Sequence, residues 1–75
     1  MQEMVEYVAK ALVTDLDAVQ VSEEQRGNRT VLHLRVADAD KGKIIGRSGR
    51  VAESLRSLLR VAAVKAKTRV LLEIE

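Results

Sequence analysis

All four glycines of this chain, Gly27, Gly42, Gly46 and Gly49, fall between residues 27 and 49, and there is no proline. Glycine is what lets a backbone reverse tightly or adopt positive φ. The four positions therefore mark one turn and one loop region, and regular elements must be sought on either side. Met4, Val5, Val8 and Leu12 recur at helical spacing, with Glu3, Glu6 and Lys10 between them, which predicts a helix over residues 2–14. Val19 and Val21 alternate with Gln20 and Ser22, which predicts a strand over 18–26. Gly27-Asn28 is a two-residue hairpin signal leading into a second strand over 29–37. There Leu32, Leu34 and Val36 share one face, and Val31, His33 and Arg35 the other. Residues 40–46 allow at most a short helix. A long one is predicted over 50–66 on the stripe Val51, Leu55, Leu58, Leu59 and Ala62. Val70, Leu72 and Ile74 share a face of a last strand over 69–74.

The order is α-β-β-α-α-β. The first two strands pair as a hairpin, and the two-helix crossover is long enough to return the third strand parallel to its neighbour. The expected class is α+β: a three-stranded mixed sheet packed on three helices in two layers, forming one domain over residues 1–75. The sheet face carrying His33 and Arg35 should be partly open.

A chain of 75 residues has little material for enclosing a cavity. Its apolar residues are nearly all aliphatic, with Tyr7 the lone aromatic, so a surface groove is the natural binding feature. There is no cysteine, hence no disulfide and no thiolate metal site, and one histidine cannot form a metal cluster alone. No metal or cofactor is expected. The start, Met1-Gln2-Glu3-Met4, lacks the basic and apolar runs of a signal peptide, and no stretch approaches the roughly 20 apolar residues of a membrane span. Charge is strongly segregated. Residues 1–40 carry four basic and eight acidic groups, whereas residues 41–69 carry nine basic groups against Glu53 alone. A basic block in an otherwise acidic chain suits a polyanionic partner.

That block contains Lys41-Gly42-Lys43-Ile44-Ile45-Gly46-Arg47-Ser48-Gly49-Arg50. Two glycines three apart bare the main chain, and the amides of the following helix have no intrahelical partners and carry the positive end of its dipole. An anion placed there gains from both. Arg47 and Arg50 flank the site, Lys41 and Lys43 sit upstream, and Ser48 offers a helix cap or a donor to phosphate. Ile45 beside the loop, with Ile44, Val51 and Leu55 in part, offers an apolar shelf for bases. The spacing fits neither a P-loop nor a dinucleotide fingerprint.

The run Gly42-Lys43-Ile44-Ile45-Gly46-Arg47-Ser48-Gly49-Arg50-Val51 resembles the I-G-x-x-G core of a KH domain, and the element order resembles the type II, prokaryotic arrangement. The whole chain, including Met4-Val5-Glu6-Tyr7-Val8 and Gly27-Asn28-Arg29, is similar to the small bacterial single-KH proteins of the KhpA-like family. The resemblance implies a cytoplasmic, non-catalytic protein that binds single-stranded RNA, as an RNA chaperone or post-transcriptional regulator. It implies that the loop Gly46 to Gly49 clamps about four nucleotides. It also implies a homodimer, or a heterodimer with a larger KhpB/Jag-like KH protein. The family often has proline in the link after the first helix, where this chain reads Asp15-Leu16-Asp17.

The residues also permit plainer readings. Arg56 and Arg60 read as a solvated helix face adding long-range attraction, His33 as a half-exposed strand residue, and the long-helix stripe as core. A structural or assembly protein, dimerising through the open sheet face or the strand edges, is the alternative function. An enzyme is disfavoured for want of a nucleophile–base pair. If the loop grips RNA, aspartates at both Gly46 and Gly49 should abolish binding and leave the fold intact.

Overall fold

The structure, a computed structural model, describes residues 1–75. Six regular elements follow the expected order: α1 (Gln2–Leu12), β1 (Gln20–Arg26), β2 (Arg29–Arg35), α2 (Lys41–Ile45), α3 (Arg50–Ala66) and β3 (Arg69–Ile74). Short 3₁₀ turns precede β1 at Leu16–Ala18 and α2 at Asp38–Asp40. The sheet order is β1-β2-β3, with β1 antiparallel to β2 and β3 parallel to it. The hairpin closes at Arg26 opposite Arg29, so Gly27 and Asn28 are its two loop residues. Gly27 has φ 62°, and Asn28 keeps negative φ, as in hairpins with glycine at the first central position.

The core lies between one sheet face and the helices. Leu32, Leu34 and Val36 from the central strand and its end meet Val5 and Ala9 of α1, Ile44 of α2, Leu55 and Leu59 of α3, and Leu72 of β3. Full burial of one such leucine contributes roughly 1.5–3 kcal/mol, so a handful of contacts decides whether so small a domain folds. Thr30 is buried too, its hydroxyl donating to Gln25 Oε1 at 2.7 Å. Gln2 Nε2 donates to the Val21 carbonyl at 2.9 Å and docks α1 on the sheet.

Four expectations shift. The first helix ends at Leu12, with Val13 extended, because the amides of Thr14 and Asp15 turn to the Asp40 carboxylate at 3.2 and 3.1 Å instead of continuing the helix. The first strand begins at Gln20, its expected start being taken by the 3₁₀ turn. The second ends at Arg35, two residues early, while Val36 still points into the core. Val31 lies on the open sheet face yet is fully buried, set between Glu24 of β1 and Leu71 of β3 in the strand registers.

The fourth shift is in α3. Its buried stripe is Ala52, Leu55, Leu59 and Ala63, and Leu58 is 52% exposed. The apolar spacing pointed instead to Leu58 and Ala62 as members of the stripe. Alanines at both ends of the true stripe let the helix seat close to its neighbours, and a small residue gives a weak hydropathy signal. At its C-terminus Lys67 takes φ 56°, and Thr68 N–H reaches back to the Ala63 carbonyl at 3.0 Å.

Urea unfolding at high dilution checks the register of α3. Leu59→Ala should cost about 2–5 kcal/mol, whereas Leu58→Ala should stay within about 0.5 kcal/mol. Equal losses would contradict the assigned core face.

Candidate nucleic-acid interface

The loop is built from the end of α2 outward. The isoleucine pair divides: Ile44 is buried in the core and Ile45 is 43% exposed. Gly46 continues α2 by one hydrogen bond, its N–H to the Gly42 carbonyl at 2.8 Å, and then breaks the helix at φ 75°, ψ 176°. Only glycine adopts that conformation readily. A Cβ on Gly46 would also lie 2.4 Å from Val51 Cγ2. Ser48 (φ 57°) and Gly49 (φ 74°) follow in left-handed conformation, and a single 3₁₀ turn over Arg47–Gly49 delivers the chain into α3. The Gly49 N–H bonds the Gly46 carbonyl at 3.2 Å and the Arg50 N–H bonds the Arg47 carbonyl.

The two glycines therefore do different work. Gly46 faces inward and lets α2 and α3 meet, so its missing Cβ serves the turn and not a ligand. Gly49 has no atom within 4 Å of where its Cβ would stand, and its glycine relieves backbone strain next to open space. The expectation that aspartate is harmless at both positions is corrected accordingly: Gly46→Asp would disturb the turn itself. Arg47 and Ser48 form the exposed tip. Ser48 does not cap α3, whose N-terminus has no side-chain cap; the Gly49 and Arg50 amides are met by the backbone of the turn itself.

The basic residues separate into two groups. Lys41 pairs with Asp38 at 3.1 Å. Lys43 lies 3.4 Å from Asp40 and donates to Thr14 Oγ1, which turns it towards the link after α1. Asp40 is 3% exposed, and the backbone N–H groups of Asp15 and Thr14, with Lys43 beside them, hold its carboxyl below the ordinary range. The two lysines expected at the loop thus have local structural partners. Arg47, Arg50, Arg56 and Arg60 are exposed and belong to none of the ion pairs.

Two shallow grooves border α3. One, behind the loop, runs between α1 and α3 and is lined by Val8, Arg50, Val51, Ser54, Leu55 and Leu58. The other runs between α3 and β3 and is lined by Arg56, Leu59, Arg60, Val70, Leu71 and Leu72. Arg56 and Arg60, which periodicity alone set aside as a solvated face, thus stand on the wall of an apolar-floored groove. Along the helix axis they lie about 9 and 15 Å beyond Arg50. Val70, half-buried on the helix-facing side of β3, gives this second groove its apolar floor, whereas the exposed Leu71 side chain alternates to the open sheet face beside Val31. Loop tip, uncapped helix end and arginine-walled groove share one helix, an arrangement suited to a flexible polyanion with flat apolar bases. His33, Glu73 and Glu75 lie together on the opposite face of the sheet.

Comparison with known proteins places this geometry in a family. A family model described as KhpA/KhpB, KH domain, matches residues 2–74. The chain is 46% identical to the RNA-binding protein KhpA of Caldanaerobacter subterraneus subsp. tengcongensis, over 99% of each chain. It is 45% identical to the protein of that name from Clostridium acetobutylicum, again over 99% of each. The counterpart in Halalkalibacterium halodurans is 46% identical over 99% of this chain and 97% of its own. No solved structure matches the chain at a significant level.

The asymmetry of the two glycines is measurable by denaturant unfolding. Gly49→Ala should cost about 1–2 kcal/mol, the penalty of a left-handed residue. Gly46→Ala, which adds a steric clash to a backbone only glycine favours, should cost about 2–5 kcal/mol. The double variant Gly46→Ala, Val51→Ala should recover part of that loss. Equal sensitivity at the two positions would contradict the tight turn.

Proposed function

The chain belongs to the KhpA/KhpB family of KH-domain proteins, and on that premise we propose that it binds single-stranded RNA in the cytoplasm without catalysing a reaction. The exposed Arg47-Ser48 tip at the uncapped N-terminus of α3 carries this reading. The sugar-phosphate backbone lies against Arg47, Ser48 and Gly49, with Gly46 shaping the turn from within. Arg50 neutralises phosphate beside it. The bases lie along the groove between α3 and β3, against Val70 and beneath Arg56 and Arg60, with Ile45 as a further apolar contact. Lys41 and Lys43 contribute long-range attraction from their paired positions. The relatives named above are RNA-binding proteins, and a G-x-x-G loop between two helices clamps about four nucleotides in KH domains generally. With no aromatic residue in the groove, base recognition rests on van der Waals contact and hydrogen bonding rather than on aromatic stacking.

So short a footprint gives modest affinity, which a second copy of the chain or a larger KH-containing partner would raise through avidity. We propose that such pairing uses the helical side of the molecule. Tyr7 of α1 and Leu58, Val61 and Val64 of α3 are exposed apolar side chains there. The open sheet face, considered above for that role, is instead lined mainly by Glu24, His33, Arg35 and Glu73 around a buried Val31, with Leu71 its one large exposed apolar side chain.

The test leaves the turn glycines intact. In the variant Arg47→Asp, Ser48→Asp both changes fall on exposed positions, and aspartate tolerates the left-handed backbone of residue 48. Far-UV CD should remain native. Affinity for a short single-stranded RNA should fall at least about tenfold, the consequence of losing one charge-assisted contact. In the wild type, log K should fall linearly with log salt, with a slope of about −2 to −3 if the four arginines meet phosphate. Wild-type affinity and slope in the folded variant would remove the loop from the site.

A further inference from the structure

The face of the sheet turned away from the helices carries a cluster that the RNA site leaves unused. At its centre is His33 of β2, whose side chain is 18% exposed. Its Nε2 lies 3.0 Å from Glu24 Oε1 on β1. Its Nδ1 lies 3.3 Å from Glu73 Oε2 on β3 and 3.2 Å from Glu75 Oε1 just beyond that strand. Glu75 is fixed there by its own N–H, which donates to the Leu34 carbonyl at 2.8 Å. Each ring nitrogen therefore meets a carboxylate, and the two sides belong to different strands.

A neutral imidazole has one N–H. Whichever nitrogen kept it, the other would aim a lone pair at a carboxylate oxygen 3.0–3.3 Å away. Only the imidazolium, donating from both nitrogens, satisfies the arrangement. The other charged groups on this face do not replace it. Arg26 of β1 is committed to Glu24, its Nε donating to Oε2 at 2.8 Å and its Nη2 to Oε1 at 3.2 Å. Arg29 of β2 and Arg69 of β3 face each other at the far end of the register, and Arg35 lies opposite Gln20. No ion pair joins any of these three to the cluster.

We infer that His33 is a proton-operated clasp: charged, it ties both outer strands to the central one through Glu24, Glu73 and Glu75, and on losing its proton it releases one of them. The Glu24 hydrogen bond, with the charges of Glu73 and Glu75, raises the His33 pKa above its ordinary 6.5 against the opposing effect of desolvation. Arg26, then His33, lower the Glu24 pKa from its ordinary 4.5. A raised histidine pKa gives stability that is fully present below 6.5 and is lost as pH rises through the folded value. A lowered carboxyl pKa gives stability that is present above 4.5 and is lost as pH falls through the folded value. The clasp is fully closed between these two limits.

His33 is the only histidine in the chain, so its imidazole Cε1 proton gives an isolated NMR signal. Its titration midpoint should lie above 6.5 and fall back towards it in Glu24→Gln. Protection of the β3 amides, corrected for intrinsic exchange, should decline as pH rises through that midpoint in the wild type and stay level in His33→Gln. A midpoint at or below 6.5, or the same decline in His33→Gln, would overturn the clasp. Neither readout involves RNA, so the result stands apart from the proposed function.

Discussion

The turn at Gly46 is the constraint on which the interface depends. Helix α2 has five residues, too few to hold its own direction in water, and it must hand the chain to a 17-residue helix through residues 46–49 alone. The junction closes because Gly46 lies against Val51 with no Cβ between them, in a conformation that other residues avoid. Ile44, buried from the α2 side, and Leu55, buried from the α3 side, then anchor the two helices in a common core. With both ends fixed, the intervening residues have nowhere to go but outward. The exposure of Arg47 and Ser48 follows from packing on either side of them, and the tip is presented without a long loop whose ordering a ligand would have to bring about.

Charge on this chain serves two separate ends. Asp40 is almost fully buried and gathers the amides of Thr14 and Asp15 together with Lys43, fastening the link after α1 to the beginning of α2. That cluster holds the short helix in place and so supports the turn from behind. The arginines at 47, 50, 56 and 60 have no such partners. The segregation visible along the sequence becomes a division of labour in space. Lysines near carboxylates help build the fold, and unpaired arginines face solvent along one helix.

Much of this was legible from residue spacing. The glycine pattern located the hairpin and the turn, period-2 alternation located β2 and β3, and the bounds of α3 were recovered to the residue. What could not be read depended on tertiary neighbours. Nothing local reveals that Thr14 and Asp15 bond Asp40 some 25 residues away, which is why α1 stops where it does. Small residues misled in the same way: Ala52 and Ala63 are core because the helix approaches closely there, whereas Leu58 is larger and outside. At the candidate interface, Arg56 and Arg60 looked like an ordinary solvated face because helical periodicity does not show that β3 turns back along α3 to complete their groove. Gly46 and Gly49 looked equivalent, and only the position of Val51 separates them.

Amide chemical-shift mapping during titration with a short single-stranded RNA tests the central claim most directly. The account predicts that the largest shifts fall on residues 46–50 and continue along the facing sides of α3 and β3, weakening together as salt is raised. Shifts confined to the open sheet face around His33, or to the outer surface of α1, would contradict it.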